Sequence, residues 1–328
     1  MRVFYQIRAK VVKPLIDVIK QNGDDIEVIF KQLLIPLKAQ SDDETFISWL
    51  CVRKLTTYIN NKYDTPVIGF DSINKIGTYH LQPYTTYIHH NSTSLINALE
   101  LFSELNNRYE SYTNYWLEHE NENLYFCYKA KDNLHLANHI IEQMIVATMI
   151  EVIRYFCSKD WSPNLIYVKD IEKSAFEHSY MKNSQLFFQQ PYCKLSIDAE
   201  VQELFKPIKV SSLSPMNTDI INEVFSKRLE RLLTPYLDEF MPTLEQTSKI
   251  TGLSARTIQR NLEKEQLTFR QFIEHIRFNL AKYWLTSTDI TIIELSERLH
   301  YNSYNNFTRA FRRWTGLSPT EYRLKNSN

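Results

Sequence analysis

Two stretches of the chain carry side chains suited to one kind of chemistry. Arg256, Gln259 and Arg260 form the first set, and Tyr304, Asn305, Thr308 and Arg309 the second. On a helix, residues three and four apart share a face, so each set points one way. Guanidinium groups bind phosphate oxygens and bridge guanine edges, carboxamides bridge adenine edges, and hydroxyls serve either. Ile258 and Leu262 in the first set, and Phe307 and Phe311 in the second, recur at i,i+4 on the opposite face and belong in a core.

Side chains of this kind act only if short elements aim them, and both stretches are written on the same plan. Leu244 to Leu262 and Ile292 to Phe311 each open with a short helix. A small residue follows where two helices cross (Ser248, Ser296), with a turn four residues later, an apolar plug (Leu253, Tyr301) and a serine N-cap (Ser254, Ser303). A single copy is a weak signal, because caps, turns and amphipathic helices occur in many bundles. Two copies 48 to 49 residues apart, both with arginine and amide groups outward, are a strong one. Phe269 to Leu285 between them reads as one helix of about 25 Å with Phe272, Ile276, Leu280 and Trp284 as its stripe. That length suits two reading helices set one DNA turn apart, about 34 Å.

The second copy runs on as Phe307-Thr308-Arg309-Ala310-Phe311-Arg312-Arg313-Trp314-Thr315-Gly316-Leu317-Ser318-Pro319-Thr320-Glu321-Tyr322-Arg323. Through this signature residues 219–328 resemble the DNA-binding domain of the AraC/XylS family of bacterial transcription regulators. The resemblance implies about seven helices. It places Ala255, Arg256, Thr257, Gln259 and Arg260 on the first reading helix. It places Tyr304, Asn305, Thr308 and Arg309 on the second, with Arg312 and Arg313 nearer phosphates. One position departs from the family pattern: His300 stands in the second turn where a glycine is usual. That turn favours left-handed backbone, which histidine adopts at a cost, so a strained or altered turn is expected.

Charge is distributed in step with this division. The chain of 328 residues has 38 basic and 38 acidic side chains, but residues 241–328 carry +5 and residues 1–240 carry −5. A basic module suits DNA, because neutralised phosphates release counterions. The five glycines are too scattered for either common phosphate-cradling loop, which excludes nucleotide binding of those kinds. Cys51, Cys127, Cys157 and Cys193 follow no metal-binding spacing and read as free thiols of a reducing compartment. No signal core or membrane-length apolar run is present, so a cytoplasmic location is expected.

The first two thirds mix periods. Helices are expected over Val11–Gln21, Ile26–Ile35, from a capping box at Ser41-Asp42-Asp43-Glu44 to Asn60, Ser94–Tyr109 and Asn133–Ser158. Tyr112–Glu118 and Leu124–Lys129 read as a hairpin around a polar turn, and Leu165–Val168, Leu186–Gln189 and Lys194–Ile197 as short strands. A further helix is expected from Asp219 to Phe240, broken or kinked at Pro235. The reading is an α+β N-terminal sensor domain (1–206), a linker (207–218) and an all-α DNA-binding domain with two helix-turn-helix motifs (219–328). Through the capped helix at Ser41, the Ser92-Thr93-Ser94-Leu95 helix start and Trp161-Ser162-Pro163 before a strand, about residues 10–205 are loosely similar to the sensor domain of the branch that includes the ornithine-utilisation regulators, often labelled arabinose-binding-like. That label does not specify a ligand.

Other chemistry is weakly supported. His135 and His139 have metal-ligand spacing but no third ligand, and read as an ordinary helix start. His89-His90 read as an exposed turn. Tyr112, Tyr115, Trp116, Tyr125, Phe126, Tyr128 and Phe187-Phe188 could line a pocket, though aromatic residues on strands more often pack a sheet face. No basic cluster marks Cys157 or Cys193 as a redox sensor, and no catalytic set has local context. The expectation is a sequence-specific, double-stranded-DNA-binding transcription regulator and not an enzyme, with a sensor for an unknown small-molecule effector. RNA polymerase and a second copy of the chain are further candidate partners, and no cofactor, metal or membrane is expected. Alternatively, the N-terminal domain is only a dimerisation or protein-interaction module, or an enzyme fused to a DNA reader, or the whole chain is an architectural DNA binder.

Overall fold

The computed structural model describes residues 4–77, 84–109, 113–121, 123–130, 139–169, 178–202, 205 and 223–326. The expected linker (207–218) lies outside these, as do Tyr112, His135 and residues 219–222 of the helix expected from Asp219. The chain forms two compact units, Met1–Ile35 with Gln40–Asn222 and Pro36–Ala39 with Glu223–Asn328.

In the first unit, α1 (Lys13–Gln21) ends at Asn22, and Gly23 takes φ 80 to turn the chain. The α2 helix (Ile26–Leu33) starts under Asp25, whose carboxylate accepts from the Glu27 and Val28 N–H groups. The helix expected from Ser41 does not begin there. Asp42 instead accepts from the Glu44 N–H and the Thr45 hydroxyl, both at 3.0 Å, while Glu44 pairs with Arg8 at 3.2 Å. These local bonds outcompete the helix start. Phe46–Ser48 becomes strand β2, antiparallel to β1 (Gln6–Arg8), and Ser48 caps α3 (Trp49–Lys62) by accepting from the Leu50 N–H at 3.2 Å.

The α4 helix (Ile68–Ile76) packs against α7 (His139–Phe156) so closely that a Cβ at Gly69 would meet the Ile140 carbonyl oxygen and the Gln143 side chain. Gln143 is fully buried. Its Oε1 accepts from the Gly69 N–H at 3.0 Å and its Nε2 donates to the Pro66 carbonyl at 2.6 Å. It thereby satisfies polar groups at the start of α4 that burial would otherwise leave orphaned. Between these helices in sequence lie α5 (Tyr84–Asn91) and α6 (Leu95–Tyr109), the latter begun by Ser94, whose hydroxyl accepts from the Asn97 N–H at 3.2 Å.

Five strands make the main sheet: β3 (Thr113–Glu120), β4 (Asn123–Ala130), β5 (Leu165–Tyr167), β6 (Gln185–Phe187) and β7 (Cys193–Ile197). Their order is β3-β4-β7-β5-β6; β5 and β6 are parallel and the other pairs antiparallel. The hairpin strands extend further than expected, so that Glu120 pairs with Asn123, and Asn121 takes the left-handed conformation the tight turn needs (φ 54). A four-residue helix, α8 (Ala199–Gln202), follows the sheet.

The hairpin aromatics are used in packing. Phe126 sits 5.9 Å from Phe102 of α6 and 5.7 Å from Tyr115, and Tyr115 lies 4.9 Å from Tyr128. On the opposite face, which alternation assigns to their neighbours, Trp116 lies 5.0 Å from Tyr192, and Lys194 stands over the Tyr125 and Tyr167 rings. Among the thiols, burial raises the pKa of both Cys127 and Cys157 above the ordinary range, with the Glu118 charge adding to the shift at Cys127. The thiolate form is thereby disfavoured at both.

The second unit is helical: α9 (Phe225–Leu233), α10 (Leu244–Thr251), α11 (Ala255–Glu263), α12 (Phe269–Ser287), α13 (Ile292–Arg298), α14 (Tyr304–Thr315) and α15 (Pro319–Asn326). The α9 helix gives way at Thr234–Tyr236 to a tighter 3₁₀ turn around Pro235, which has no N–H to continue the α ladder. The long α12 does not bury the single stripe expected of it. Phe272 and Ile276 are buried in its first half, but Ala281 and Leu285 in its second, with Leu280 and Trp284 only half-buried. Phe272 and Ala281 are about 180° apart around the helix. The helix therefore serves two cores on opposite sides, one packed with α11 and one built from Leu295, Leu299, Phe307 and Phe311. Among the described residues no helix is long and apolar enough to cross a membrane.

Candidate nucleic-acid interface

The first motif is α10, a turn and α11. Thr243 caps α10 in a box with Gln246: the Gln246 N–H donates to the Thr243 hydroxyl at 3.2 Å, and the Gln246 Oε1 accepts from the Thr243 N–H at 2.9 Å. Gly252 makes the turn at φ 73, where any Cβ is disfavoured. Leu253 plugs the core at 4% exposure, and Ser254 caps α11 by accepting from the Thr257 N–H at 3.2 Å. Ile258 and Leu262 are fully buried. Ser248, the small residue expected at the helix crossing, is half-buried and donates to the Leu253 carbonyl across the turn, while its neighbour Thr247 is fully buried.

This leaves Arg256, Gln259 and Arg260 exposed side by side on α11. Ala255 and Thr257 are half-buried, and the Thr257 hydroxyl is engaged with the Ser254 hydroxyl at 2.8 Å. Neither Arg256 nor Arg260 forms an ion pair among the described residues.

The second motif is α13, a turn and α14. Thr291 and Glu294 form its capping box, and the Thr291 N–H and hydroxyl hold the Glu294 carboxyl below its usual range. The turn passes through His300 at φ 55, so the left-handed residue expected here is present without glycine. The imidazole also makes a bond that glycine could not: its Nε2 lies 2.9 Å from the Leu237 carbonyl oxygen. The Arg277 guanidinium of α12 donates to the His300 carbonyl at 3.3 Å and stacks 4.6 Å from the Tyr301 ring. Tyr301, 5.5 Å from Phe307, is a half-buried plug whose hydroxyl pKa is raised by burial. The altered turn is thus tied down from both sides.

Ser303 caps α14 by accepting from the Asn306 N–H at 3.2 Å. Phe307 and Phe311 are fully buried, and Phe311 meets Tyr322 of α15 edge-on at 5.3 Å. Gly316 stops α14 at φ 77. Tyr304, Asn305, Arg309, Arg312 and Arg313 are exposed, but Thr308 is half-buried with its Oγ1 turned away from solvent. Two cations here have partners, one local and one distant in sequence. Arg309 donates to the Asn306 Oδ1 at 2.6 Å, and Arg313 pairs with Glu274 of α12 at 3.1 Å. The Glu274–Arg270 pair, four residues apart on one helix, is readable from sequence; the Glu274–Arg313 pair, 39 residues apart, is not.

The two motifs can thus present positive charge, amides and hydroxyls from capped helices, which is chemistry suited to a duplex. Among the described residues no group of three or more His, Cys, Asp and Glu side chains could hold a metal ion.

Residues 247–325 match a family model described as a helix-turn-helix domain. The chain is 33% identical over 145 residues to the ornithine utilization regulator of Pseudomonas aeruginosa, covering 42% of each chain. It is 36% identical over 97 residues to the transcriptional regulator VqsM of the same organism, covering 30% of each. The matched stretch therefore spans less than half the length of either relative. The crystal structure of the regulator CdpR from Pseudomonas aeruginosa aligns over 96% of this chain and 98% of its own, at 16% identity and a TM-score of 0.42. The DNA-binding domain of AdpA, solved with a target DNA, aligns over 30% of this chain and 90% of its own, at 23% identity and a TM-score of 0.28.

Proposed function

From a chain that carries an AraC-type helix-turn-helix domain, we propose a sequence-specific DNA-binding transcription regulator that lays α11 and α14 in successive major grooves. The observation that carries this reading is the pair of serine-capped helices, each with a buried apolar face and an exposed face of arginine and amide groups, in two motifs linked by one continuous 19-residue helix. That helix spans about 28 Å. In this reading Arg256, Gln259 and Arg260 address one groove, with Ala255 and Thr257 beside them. Tyr304, Asn305 and Arg309 address the next, with the half-buried Thr308 beside them, and Arg312 and Arg313 reach phosphates.

Residues 1–206 act as a sensor, 207–218 as a linker and 219–328 as the DNA reader. An effector that binds the sensor shifts the population towards or away from the DNA-competent state only by as much as its affinity differs between the two states. Sequencing the DNA captured by the full chain from a random duplex library tests the reader. The expected result is two enriched half-sites with centres about 10–10.5 base pairs apart; captured DNA without sequence preference overturns it in favour of an architectural binder. A thermal-shift screen against metabolites tests the sensor. Saturable stabilisation by one chemical class supports it, and a null screen with dimerisation through residues 1–206 supports an interaction module.

A further inference from the structure

We propose that Glu274 holds Arg313 away from the DNA backbone, so that duplex binding exchanges a carboxylate partner for a phosphate. The proposal rests on the DNA-binding reading of α14. Glu274 lies on α12, where its Oε2 meets Arg313 Nη2 at 3.1 Å and its Oε1 meets Arg270 Nε at 3.4 Å. Its side chain is 27% exposed, against 60% for Arg313 and 86% for Arg270. The carboxylate is thus sheltered while the two cations it holds face water. One turn further along α12, Arg277 grips the second turn through the His300 carbonyl and the Tyr301 ring. Glu274 is therefore set at the junction of the linking helix and the second reading helix, and is not a side chain swinging freely in solvent.

The one Nη2–Oε2 contact leaves other guanidinium N–H groups free, but the Glu274 carboxylate draws the Arg313 head toward α12 and offsets part of its charge, so a phosphate must compete with Glu274 for it. That competition subtracts from affinity on every sequence alike. Glu274 is then a determinant of the interface that touches no DNA. Its effect is small, because the pair is partly solvated.

The test uses the full-length protein and a fluorescein-labelled random-sequence duplex, read by anisotropy across a salt series. The wild-type chain should bind with an affinity that falls as salt rises. Glu274→Gln should bind about two- to fivefold tighter at low salt, the range a partly exposed ion pair allows. Arg313→Ala should bind more weakly, with a log–log salt slope shallower by about 0.9, one phosphate contact. The double variant should bind no tighter than Arg313→Ala alone. Glu274→Asp keeps the charge but shortens the reach, and should repeat the gain; melting temperatures show that each variant is folded.

If the gain from Glu274→Gln persists without Arg313, general charge removal or release of Arg270 explains it and the exchange is overturned. An unchanged affinity in folded Glu274→Gln and Glu274→Asp overturns it equally. A folded wild-type chain that binds no duplex at low salt would instead remove the DNA-binding reading itself.

Discussion

In the first motif the turn passes through Gly252, and the two arginines of α11 stand exposed without an ion pair among the described residues. In the second the turn passes through His300, braced by Leu237 on one side and Arg277 on the other, and Arg309 and Arg313 are already held by Asn306 and Glu274. The element order, serine caps and buried apolar faces are alike, so the difference is not one of fold. One motif offers cations with few commitments, which suits adaptable contact. The other offers cations restrained in place, which costs less entropy on binding but exacts an exchange at Arg313. Two copies of one plan can in this way divide adaptable and fixed contact between them.

The largest effects lie in the cores. Phe311→Ala should cost about 3–5 kcal/mol and Leu262→Ala about 2–5 kcal/mol, measured by denaturant unfolding. Hydrogen exchange should show each loss concentrated in its own motif, because α12 serves the two cores with opposite faces. Equal loosening of both motifs by either variant would break the division.

Next come the reading side chains. Arg260→Ala and Arg309→Ala should each weaken specific DNA affinity by about 1–3 kcal/mol if they read bases. Asn306→Ala should lower affinity only where Arg309 is present, since Asn306 acts by positioning that guanidinium. Unchanged binding of both arginine variants at matched salt would end the assignment.

The turns follow. Gly252→Ala should lower stability by about 1–2 kcal/mol, the cost of left-handed backbone for a residue with a Cβ. His300→Gly should be close to neutral in melting temperature, because easier left-handed backbone, worth about 1–2 kcal/mol, offsets the lost Leu237 bond of about 0.5–1.5 kcal/mol. His300→Ala should be the worse variant, since it loses the bond and keeps the backbone cost. If His300→Ala and His300→Gly melt together, the imidazole bond contributes nothing. The smallest effects are at the caps: Ser254→Ala and Ser303→Ala should each cost about 1 kcal/mol, and unequal losses would show that the two motifs differ in their helix starts too.

Much of the reading unit was legible because its signals are local. Caps, turns and the i,i+4 apolar pairs of α11 and α14 operate within a dozen residues, and the structure has them where spacing put them. The left-handed turn at His300 was legible from the resemblance to a family in which glycine is usual at that position. The Ser41 capping box failed because its Asp and Glu found partners in a turn and in Arg8, and because the strand at Phe46 depends on pairing with Gln6–Arg8. The stripe on α12 failed because a helix of that length faces different neighbours along its course. Thr308, assigned to the reading face, is half-buried with its hydroxyl turned in, which no periodicity could specify.

The amino-acid sequence by itself determined the charge split, the two motif copies, their caps and the cations each presents, because these depend on residue type and short spacing. Only the tertiary structure decided which of those cations are already occupied, how α12 serves two cores, and how His300 is braced. Apart from the local Arg309–Asn306 bond, those depend on groups tens of residues apart meeting within about 3 Å, the reach of a hydrogen bond.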